Sequence, residues 1–229
     1  MRYHVEFDID FKRNKSDGLF IAIEGNEGAG KTTQVKLLCD ELRKKYKVYK
    51  TKNPTDSEIG VLIRKVLAGQ VNVPPVSFQY LFSSDRQVHQ VNVLKHLKKG
   101  EIVVTDRYFW SALVYGIVDR EDLDFEKSGN LLLTSLSILS MYHQFIVPDL
   151  TIYLEVPVET ALERINKTRK SLEIYENKEK LMKIQKGYKW LLNKFPNEIT
   201  RIDGSKSVSE VTKQTLDKIY KLKIHDCEK

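Results

Sequence analysis

The sequence predicts an α/β protein in which a five-stranded parallel sheet carries helices on both faces. In this chain of 229 residues, short apolar runs typical of buried strands alternate with longer stretches of helical spacing. A glycine-rich loop of the pattern G-x-x-x-x-G-K-[ST] occupies residues 25–32, between the first of those runs and a helical stretch. Strands separated by helices pair in parallel through right-handed crossovers, so these observations together indicate a three-layer fold.

Along the chain, the predicted elements follow one another without an internal repeat or a low-complexity linker. The apolar runs predict strands at Leu19–Glu24, Tyr46–Thr51, Glu101–Asp106, Leu150–Val156 and Glu198–Ile202. The helical spacings predict helices at Lys31–Lys45, Ile59–Leu67, Val76–Lys99, Ser111–Val118, Phe125–Gln144, Val158–Asn166, Glu179–Lys194 and Val208–Lys221. The length suits one core, and we therefore expect residues 1–229 to form a single domain.

Residues 1–18 precede the first of these strands and form an amino-terminal extension. From Tyr3 to Phe11 every second residue is apolar, and the residues between them are polar. Strict alternation of this kind is typical of a half-buried strand. We expect an extra strand here, packed at an edge of the sheet or between subunits.

Composition indicates a globular protein without a membrane span. Hydrophobic residues make up 41% of the chain, and no apolar stretch approaches the roughly 18 residues of a transmembrane helix. The net charge is +7, but the basic residues are spread among 31 acidic ones, which favours a mixed solvated surface and no nucleic-acid partner. The amino terminus lacks the apolar core of a secretory signal, and Cys39 and Cys227 are the only cysteines, so we expect a cytoplasmic protein.

The glycine-rich loop indicates the substrate class. In such loops the backbone amides, the amino end of the next helix and the lysine, here Lys31, cradle the phosphates of a nucleoside triphosphate. Thr32 is placed to ligate a magnesium ion on the bound phosphates. The predicted triphosphate-binding residues are Gly25, Asn26, Glu27, Gly28, Ala29, Gly30, Lys31, Thr32 and Thr33.

The third predicted strand ends in an acid followed by a base, Asp106 and Arg107. In an open parallel sheet, ligands bind beyond the carboxyl ends of the strands, and the phosphate loop lies at that same edge. We therefore expect Asp106 to complete the magnesium shell with Thr32, and Arg107 to bridge the phosphates of a donor and an acceptor.

Switch GTPases carry the same loop, but a second motif of theirs, D-x-x-G, occurs nowhere in this sequence. The guanine-reading pattern N-K-x-D does occur, at Asn14–Asp17. It stands directly before the phosphate-loop strand, with no room for the strand and crossover that would bring it to a base. We interpret this match as a coincidence.

Several motifs in a fixed order resemble those of the thymidylate kinases. They are the phosphate loop with its acid at Glu27, Asp106-Arg107-Tyr108 followed by Ser111 and Tyr115, residues 147–157, and Tyr175-Glu176-Asn177. The resemblance covers roughly residues 19–205, nearly everything except the extension and the tail. It implies a P-loop kinase fold, ATP and thymidylate (dTMP) as substrates, Mg²⁺ as cofactor, dTDP and ADP as products on the route to dTTP, and a homodimer.

The resemblance also implies a site for the acceptor base and sugar. Phe82 and Arg86, four residues apart on one predicted helical face, match the pair that stacks on thymine and hydrogen-bonds its carbonyl. Tyr115 matches the aromatic residue that packs against the deoxyribose. Glu27 matches an acid near the sugar 3′-hydroxyl and the metal.

Phosphoryl transfer depends on positioning and on cations that neutralise the transferring group, so no catalytic base is expected. Arg64 and Arg107 match the groups that hold the acceptor phosphate in the family, and Ser111 belongs to the same substrate-binding set. Lys31, Asp106 and Arg107 are the catalytic residues that we expect outside the lid.

A lid is predicted at about residues 164–178, where basic residues follow a helix. Some thymidylate kinases place a catalytic arginine in the phosphate loop, and others place it in the lid. Because Gly28 occupies the loop position here, the resemblance implies that Arg164 and Arg169 in the lid supply the catalytic charge, with Lys167 and Lys170 as substitutes.

The chain departs from the family pattern near the acceptor. Relatives usually offer an arginine near the acceptor phosphate after the second strand, whereas residues 52–58 contain none, and Ile174 replaces a frequent lid arginine. Ala112 and Gly116 stand where relatives are often polar. Another pyrimidine monophosphate, such as deoxyuridylate, is therefore an open alternative as acceptor.

Two further functions are compatible with the same motifs. A deoxynucleoside kinase shares the loop, the Asp-Arg element and the lid. A P-loop switch or a nucleic-acid-binding ATPase without transfer activity would fit the basic composition. The donor base is open as well, although the turn at Asp203–Lys206 is predicted to flank it.

Overall fold

The structure, a computed structural model, describes residues 10–118, 137–168 and 173–222. Its strands are β1 (Lys12–Arg13), β2 (Phe20–Gly25), β3 (Val48–Lys52), β4 (Ile102–Asp106), β5 (Ile146–Val147), β6 (Leu150–Glu155) and β7 (Thr200–Asp203). Its helices are α1 (Lys31–Leu42), α2 (Glu58–Leu67), α3 (Pro75–Leu97), α4 (Phe109–Val118), α5 (described over residues 137–142), α6 (Val158–Thr168), α7 (Lys178–Lys194) and α8 (Val208–Ile219).

Five of the strands form one parallel sheet in the order β3-β4-β2-β6-β7. Helices α1 and α8 pack together as one helical layer, and α3, α4 and α7 pack together as a second. The predicted α/β fold with a five-stranded parallel sheet is confirmed, and each strand begins and ends within two residues of its predicted bounds.

Strand β2 is the most deeply buried part of the sheet. All six of its residues are buried, and the side chains of Phe20, Ile21 and Ile23 are fully excluded from solvent. Burial of each such side chain stabilises the fold by roughly 1.5–3 kcal/mol. The strand pairs with β4 so that Ile23 lies beside Asp106. This register brings the end of β4 next to the loop that follows β2.

The amino-terminal extension contributes a strand, but in a sheet of its own. Strand β1 pairs in parallel with β5, and these two form a separate two-stranded sheet. The strand predicted over residues 3–11 lies outside the described residues up to residue 9, and residues 10 and 11 are not in a strand. Within the described residues, the extra strand therefore begins later than predicted and does not extend an edge of the main sheet.

Asn14, the first residue of the N-K-x-D match, has a structural role. Its side-chain amide donates to the carbonyl of Gly18 (2.7 Å) and to Oδ2 of Asp149 (2.8 Å), and its Oδ1 accepts from the backbone N–H of Ser16 (3.0 Å). The same Asp149 oxygen accepts from the backbone N–H of Phe20 (2.7 Å). Asn14 therefore closes the turn that leads into β2, which agrees with the interpretation of the match as a coincidence.

The helices lie close to their predicted bounds, with two qualifications. Helix α1 ends at Leu42 rather than at Lys45, because the following residues form a turn in which Lys45 and Tyr46 donate to the carbonyl of Leu42. The helix predicted at Phe125–Gln144 lies outside the described residues as far as residue 136, and its described part ends at residue 142. Among the described residues, no helix combines the length and the apolar character that crossing a membrane requires.

Candidate active site

The phosphate loop connects β2 to α1 and encloses a space with its backbone. Gly28 and Gly30 have φ angles of 72° and 90°, a region that glycine occupies readily and other residues rarely do. The turn that they form brings the chain to Lys31, whose buried Nζ donates to the carbonyl of Asn26 (2.7 Å). The first turn of α1 leaves backbone N–H groups without helical partners, and such groups attract anions.

Thr32 and Asp106, the two predicted magnesium ligands, lie side by side. Thr32 Oγ1 donates to Asp106 Oδ2 at 2.6 Å. Thr32 belongs to the first turn of α1 and Asp106 ends β4, so the register between β2 and β4 brings the two together. Magnesium prefers oxygen ligands and is commonly held by one or two protein side chains together with phosphates and water. The residues present therefore fit a nucleotide-bound Mg²⁺ ion.

Arg107 follows β4 in a left-handed backbone conformation, with φ 68°. Non-glycine residues in this region are strained, and such residues are concentrated at functional sites. Its guanidinium forms an ion pair with Glu27 Oε1 (2.7 Å) and donates to the carbonyl of Gly25 (3.1 Å) and to Ser111 Oγ (3.2 Å). Burial opposes the charge, but Glu27 raises the pKa of Arg107 well above its usual value. The side chain is therefore a fixed cation.

The Glu27 carboxylate contacts two cationic side chains and one hydroxyl. It lies 3.8 Å from Lys31 Nζ and accepts a hydrogen bond from the Tyr115 hydroxyl (3.2 Å), in addition to its pair with Arg107. Burial alone would raise the pKa of Glu27, but Arg107 and Lys31 together lower it to about 2. Burial, followed by the charge of Arg107, lowers the pKa of Lys31 to about 8. Glu27 is therefore an anion at neutral pH, whereas Lys31 loses its proton at a pH only slightly above neutral.

A cavity, the acceptor pocket, adjoins this ion pair. Phe82 and Arg86 of α3 contribute to its wall, and the guanidinium carbon of Arg86 lies 5.4 Å from the centre of the Phe82 ring. Six of the seven predicted substrate-binding residues line the pocket, all except Arg64. The complete lining is Glu27, Asn53, Pro54, Leu67, Phe82, Arg86, Arg107, Ser111, Ala112, Tyr115 and Tyr175.

Arg86 is held in one orientation by its surroundings. Only 2% of it is exposed, and it donates to the carbonyl oxygens of Phe82 (3.3 Å) and Tyr108 (3.1 Å) and to the hydroxyl of Tyr142 (3.4 Å). Its Nε has no hydrogen-bond partner among the described residues. A buried donor without a partner costs free energy. A guanidinium beside an aromatic ring suits a flat ligand with a carbonyl at its edge.

Glu24, which the sequence reading missed, lies beneath the pocket and supports it. This fully buried carboxylate accepts hydrogen bonds from the Ser111 hydroxyl, from the backbone N–H groups of Tyr108 (2.9 Å) and Ser111 (3.3 Å), and from the Tyr188 hydroxyl (3.0 Å). Burial raises its pKa, against these donors. Through Ser111 it fixes an acceptor for Arg107. An acid inside an otherwise apolar strand was the signal that could have identified it.

A second cavity, the phosphate channel, runs along the loop. It shares Glu27 and Arg107 with the acceptor pocket, so the two spaces meet at the ion pair. Most of the predicted triphosphate-binding residues and all described catalytic candidates line it. These are Glu27, Gly28, Gly30, Lys31, Thr32, Thr33, Asp106, Arg107 and Arg164.

Arg64 lines the phosphate channel, and its guanidinium is engaged with the chain after β3. Its Nη1 donates to the carbonyl oxygens of Pro54 (3.2 Å) and Thr55 (2.6 Å), and its Nη2 lies 3.4 Å from Asp56 Oδ1. Arg64, which was predicted to bind the acceptor phosphate, therefore also supports the backbone of residues 54 and 55.

Of the predicted lid, only residues 164–168 and 173–178 belong to the described part of the chain, and Arg169 lies outside it. Arg164 of α6 donates to the carbonyl of Gly28 in the phosphate loop (3.4 Å) and to that of Gly204 after β7 (3.2 Å). It thus stands at the donor end of the channel, between the phosphate loop and the turn that was predicted to flank the donor base.

Known proteins resemble this chain over most of its length. The family model for thymidylate kinase matches residues 23–215. A probable thymidylate kinase from Methanococcus aeolicus is 39% identical over 90% of this chain and 97% of its own, and the thymidylate kinase of Caldanaerobacter subterraneus subsp. tengcongensis is 32% identical over 87% and 93%. A solved thymidylate kinase structure from Candida albicans superposes with a TM-score of 0.78 at 25% identity, covering 93% of this chain and 96% of that one.

Replacing Gly28 with alanine should destabilise the protein more than backbone strain explains. A Cβ atom at position 28 would lie 2.5 Å from the carbonyl oxygen of Ala161 in α6, and the φ of 72° adds strain. Gly69 has nearly the same φ, 71°, but open space around its Cβ position, so Gly69→Ala is the matched control. We expect a loss of about 1 kcal/mol for Gly69→Ala and a clearly larger one for Gly28→Ala in urea unfolding. Equal losses of unfolding free energy in the two variants would mean that the close approach of α6 to Gly28 does not restrict this position.

Proposed function

Since this chain belongs to the thymidylate kinase family, we propose that the site described above transfers the γ-phosphate of ATP to thymidylate, giving dTDP and ADP. The observation that supports this assignment is the meeting of two spaces, the phosphate channel and the acceptor pocket, at Glu27 and Arg107. Direct transfer requires the donor and the acceptor to lie in one continuous site with their reacting atoms in near contact.

In the donor half, residues 25–33 bind the triphosphate of ATP through backbone N–H groups and the Lys31 ammonium. Thr32 and Asp106, whose oxygens are 2.6 Å apart at the carboxyl end of β4, would hold Mg²⁺. When bound, the ion neutralises charge on the phosphate oxygens. Arg164 stands beside Gly28 and Gly204, so it contacts the nucleotide from the donor side.

In the acceptor half, Phe82 stacks on thymine while Arg86 donates to a carbonyl at the edge of the base. Tyr115 packs against the sugar and, with Glu27, approaches its 3′-hydroxyl. The hydrogen bond between the Tyr115 hydroxyl and Glu27 and the 5.0 Å distance from the Arg107 guanidinium to the Tyr115 ring support this placement, because they hold the three side chains as one group.

Catalysis rests on charge neutralisation along the phosphates, without a catalytic base. Arg107 contacts the phosphates of both nucleotides, since it lines both cavities. Arg64 approaches the acceptor phosphate from α2. Arg164 supplies positive charge from α6, and Arg169, which lies outside the described residues, is the second lid cation of the proposal.

The protein acts as a homodimer that joins through α2 and α3. Six of the nine exposed large apolar side chains among the described residues lie on these two helices, namely Val61, Leu62, Val76, Tyr80, Val88 and Val91. Exposed apolar residues concentrated on one region favour an interface over a solvated surface. Because α3 also carries Phe82 and Arg86, the same helix forms part of the interface and part of the wall of the acceptor pocket.

The protein works in the cytoplasm, where its nucleotide substrates are found. The chain contains two cysteines, and Cys39 is buried and unpaired in α1. A free buried thiol suits a reducing compartment.

The catalytic efficiency for ATP should fall as the pH rises through the pKa of Lys31. Burial and Arg107 lower this pKa to about 8, so the ammonium that neutralises the phosphates is lost above that pH. We expect kcat/KM for ATP to be constant below pH 7 and to decline up to about tenfold per pH unit above pH 8, because kcat/KM reports the free enzyme. Lys31→Arg is the matched control, since arginine stays charged. A profile without this alkaline limb would contradict the proposed role.

A panel of acceptors should identify thymidylate as the preferred substrate. ADP release would be measured with ATP, Mg²⁺ and, in turn, dTMP, dUMP, CMP, AMP, GMP and thymidine. We expect the highest kcat/KM with dTMP and no turnover of thymidine, and we expect Lys31→Ala to remove turnover from the same preparation. Highest activity on AMP or GMP would contradict the assignment, as would phosphorylation of thymidine but not of its monophosphate.

The dimer should depend on the apolar surface of α3. In light scattering or sedimentation, the wild-type protein should have about twice the mass of the 26.7 kDa chain. Tyr80→Glu, at a side chain that is 60% exposed, should give a monomer because it places a charge in the interface. Tyr220→Glu beyond α8, at a side chain that is 48% exposed, is the control and should stay dimeric. A wild-type monomer, or a Tyr80→Glu dimer, would exclude this interface.

A further inference from the structure

Residues 53–57, the β3–α2 loop, form part of the wall between the acceptor pocket and the phosphate channel. Asn53 and Pro54 line both spaces. The loop contains no arginine and no lysine of its own. Any positive charge that the loop brings to a phosphate must therefore come from the groups that it places around itself.

Asp85 of α3 fixes this loop by accepting its donors. The carboxylate is 1% exposed and accepts hydrogen bonds from the backbone N–H of Thr55 (2.9 Å), the Thr55 hydroxyl (2.5 Å), the Ser57 hydroxyl (3.1 Å) and the Asn53 amide (3.3 Å). Burial of a carboxylate is costly unless such donors compensate it. These four hydrogen bonds all join α3 to the loop.

Helix α2 holds the same loop from the other side. Arg64 donates to the carbonyl oxygens of Pro54 and Thr55. Gly60 permits direct contact, because a Cβ atom there would lie 1.9 Å from the carbonyl oxygen of Thr55. The loop is therefore clamped between α2 and α3, and Asp85 is the clamp on the side of α3.

The clamped loop brings two cations to the channel. Asp56 Oδ1 lies 3.1 Å from Lys52 Nζ and 3.4 Å from Arg64 Nη2, and both basic side chains line the channel. One carboxylate oxygen thus draws the two positive charges together beside the loop.

We propose that Asp85 is a positioning residue for the acceptor phosphate, which holds the β3–α2 loop so that Lys52 and Arg64 face that phosphate. The inference rests on the proposed function, since it concerns how the same site binds its acceptor. Arg86 is the next residue on α3 and lines the acceptor pocket, where the proposed function places the base. One turn of α3 therefore sets the spacing between the contacts to the base and the contacts to the phosphate.

Binding of dTMP and of thymidine separates these two sets of contacts, because thymidine carries the base and sugar without the phosphate. The dissociation constants of both would be measured by calorimetry for the wild-type protein and for Asp85→Asn, which keeps the shape but turns one acceptor into a donor. We expect about a tenfold weaker binding of dTMP, the usual effect of losing hydrogen bonds to one charged group. Thymidine binding and the KM for ATP should change less than about twofold.

Two further variants make the experiment decisive. Thr55→Val removes the hydroxyl donor from the loop and leaves α3 intact. It should weaken the binding of dTMP by about threefold and leave the binding of thymidine unchanged. This variant tests the inference even if Asp85→Asn does not fold. Asp217→Asn on α8 makes the same chemical change at an exposed site and should leave both constants unchanged.

Equal losses for dTMP and thymidine would overturn the inference, because Asp85 would then act through Arg86 and the base. Unchanged binding of dTMP by Asp85→Asn and Thr55→Val would overturn it as well. In that case the proposed function would still stand if the wild-type protein bound dTMP more tightly than thymidine. A wild-type protein that bound dTMP no more tightly than thymidine would overturn both.

Discussion

The partly buried ion pair between Glu27 and Arg107 is the contact on which the rest of the site depends. Glu27 belongs to the loop after β2, Arg107 follows β4, and the two strands are neighbours in the sheet. Charges buried in this way are stable only with a partner and further hydrogen bonds, and here Lys31, Tyr115 and Ser111 supply additional contacts. Loss of either partner would leave an uncompensated charge at the junction of the two cavities.

Two further carboxylates hold the segments around this junction in place through hydrogen bonds. Glu24 collects hydrogen bonds at the start of α4 and thereby orients Ser111 toward Arg107. Asp85 does the same for the β3–α2 loop. Both acids accept backbone N–H groups together with hydroxyls, so each joins two segments that are distant in sequence. Functional side chains are accurate in position when their supporting residues are themselves fixed by packing and hydrogen bonds.

Much of the fold and part of the site follow from local patterns. The strands are predictable because apolar runs between helical stretches must be buried, and Thr32 and Asp106 are predictable because motif and strand end lie at one edge of a parallel sheet. Phe82 and Arg86 were identified through the family resemblance and do lie together. Glu24 and Asp85 were missed because their hydrogen-bond partners lie far away in the sequence. Tyr108 and Ser111 are 84 and 87 residues from Glu24, and the partners of Asp85 in the β3–α2 loop are 28 to 32 residues from it.

The sequence by itself determined the α/β class, the phosphate loop and the membership that its ordered motifs indicate, because these depend on periodicity and on residues close together in the chain. Only the tertiary structure decided how the pieces meet. It paired the amino-terminal strand with β5, turned Arg64 to the carbonyls of its neighbouring loop and placed Arg164 between two glycine carbonyls. Such contacts depend on register and packing across the whole fold, and a side chain's position along its own helix does not specify them.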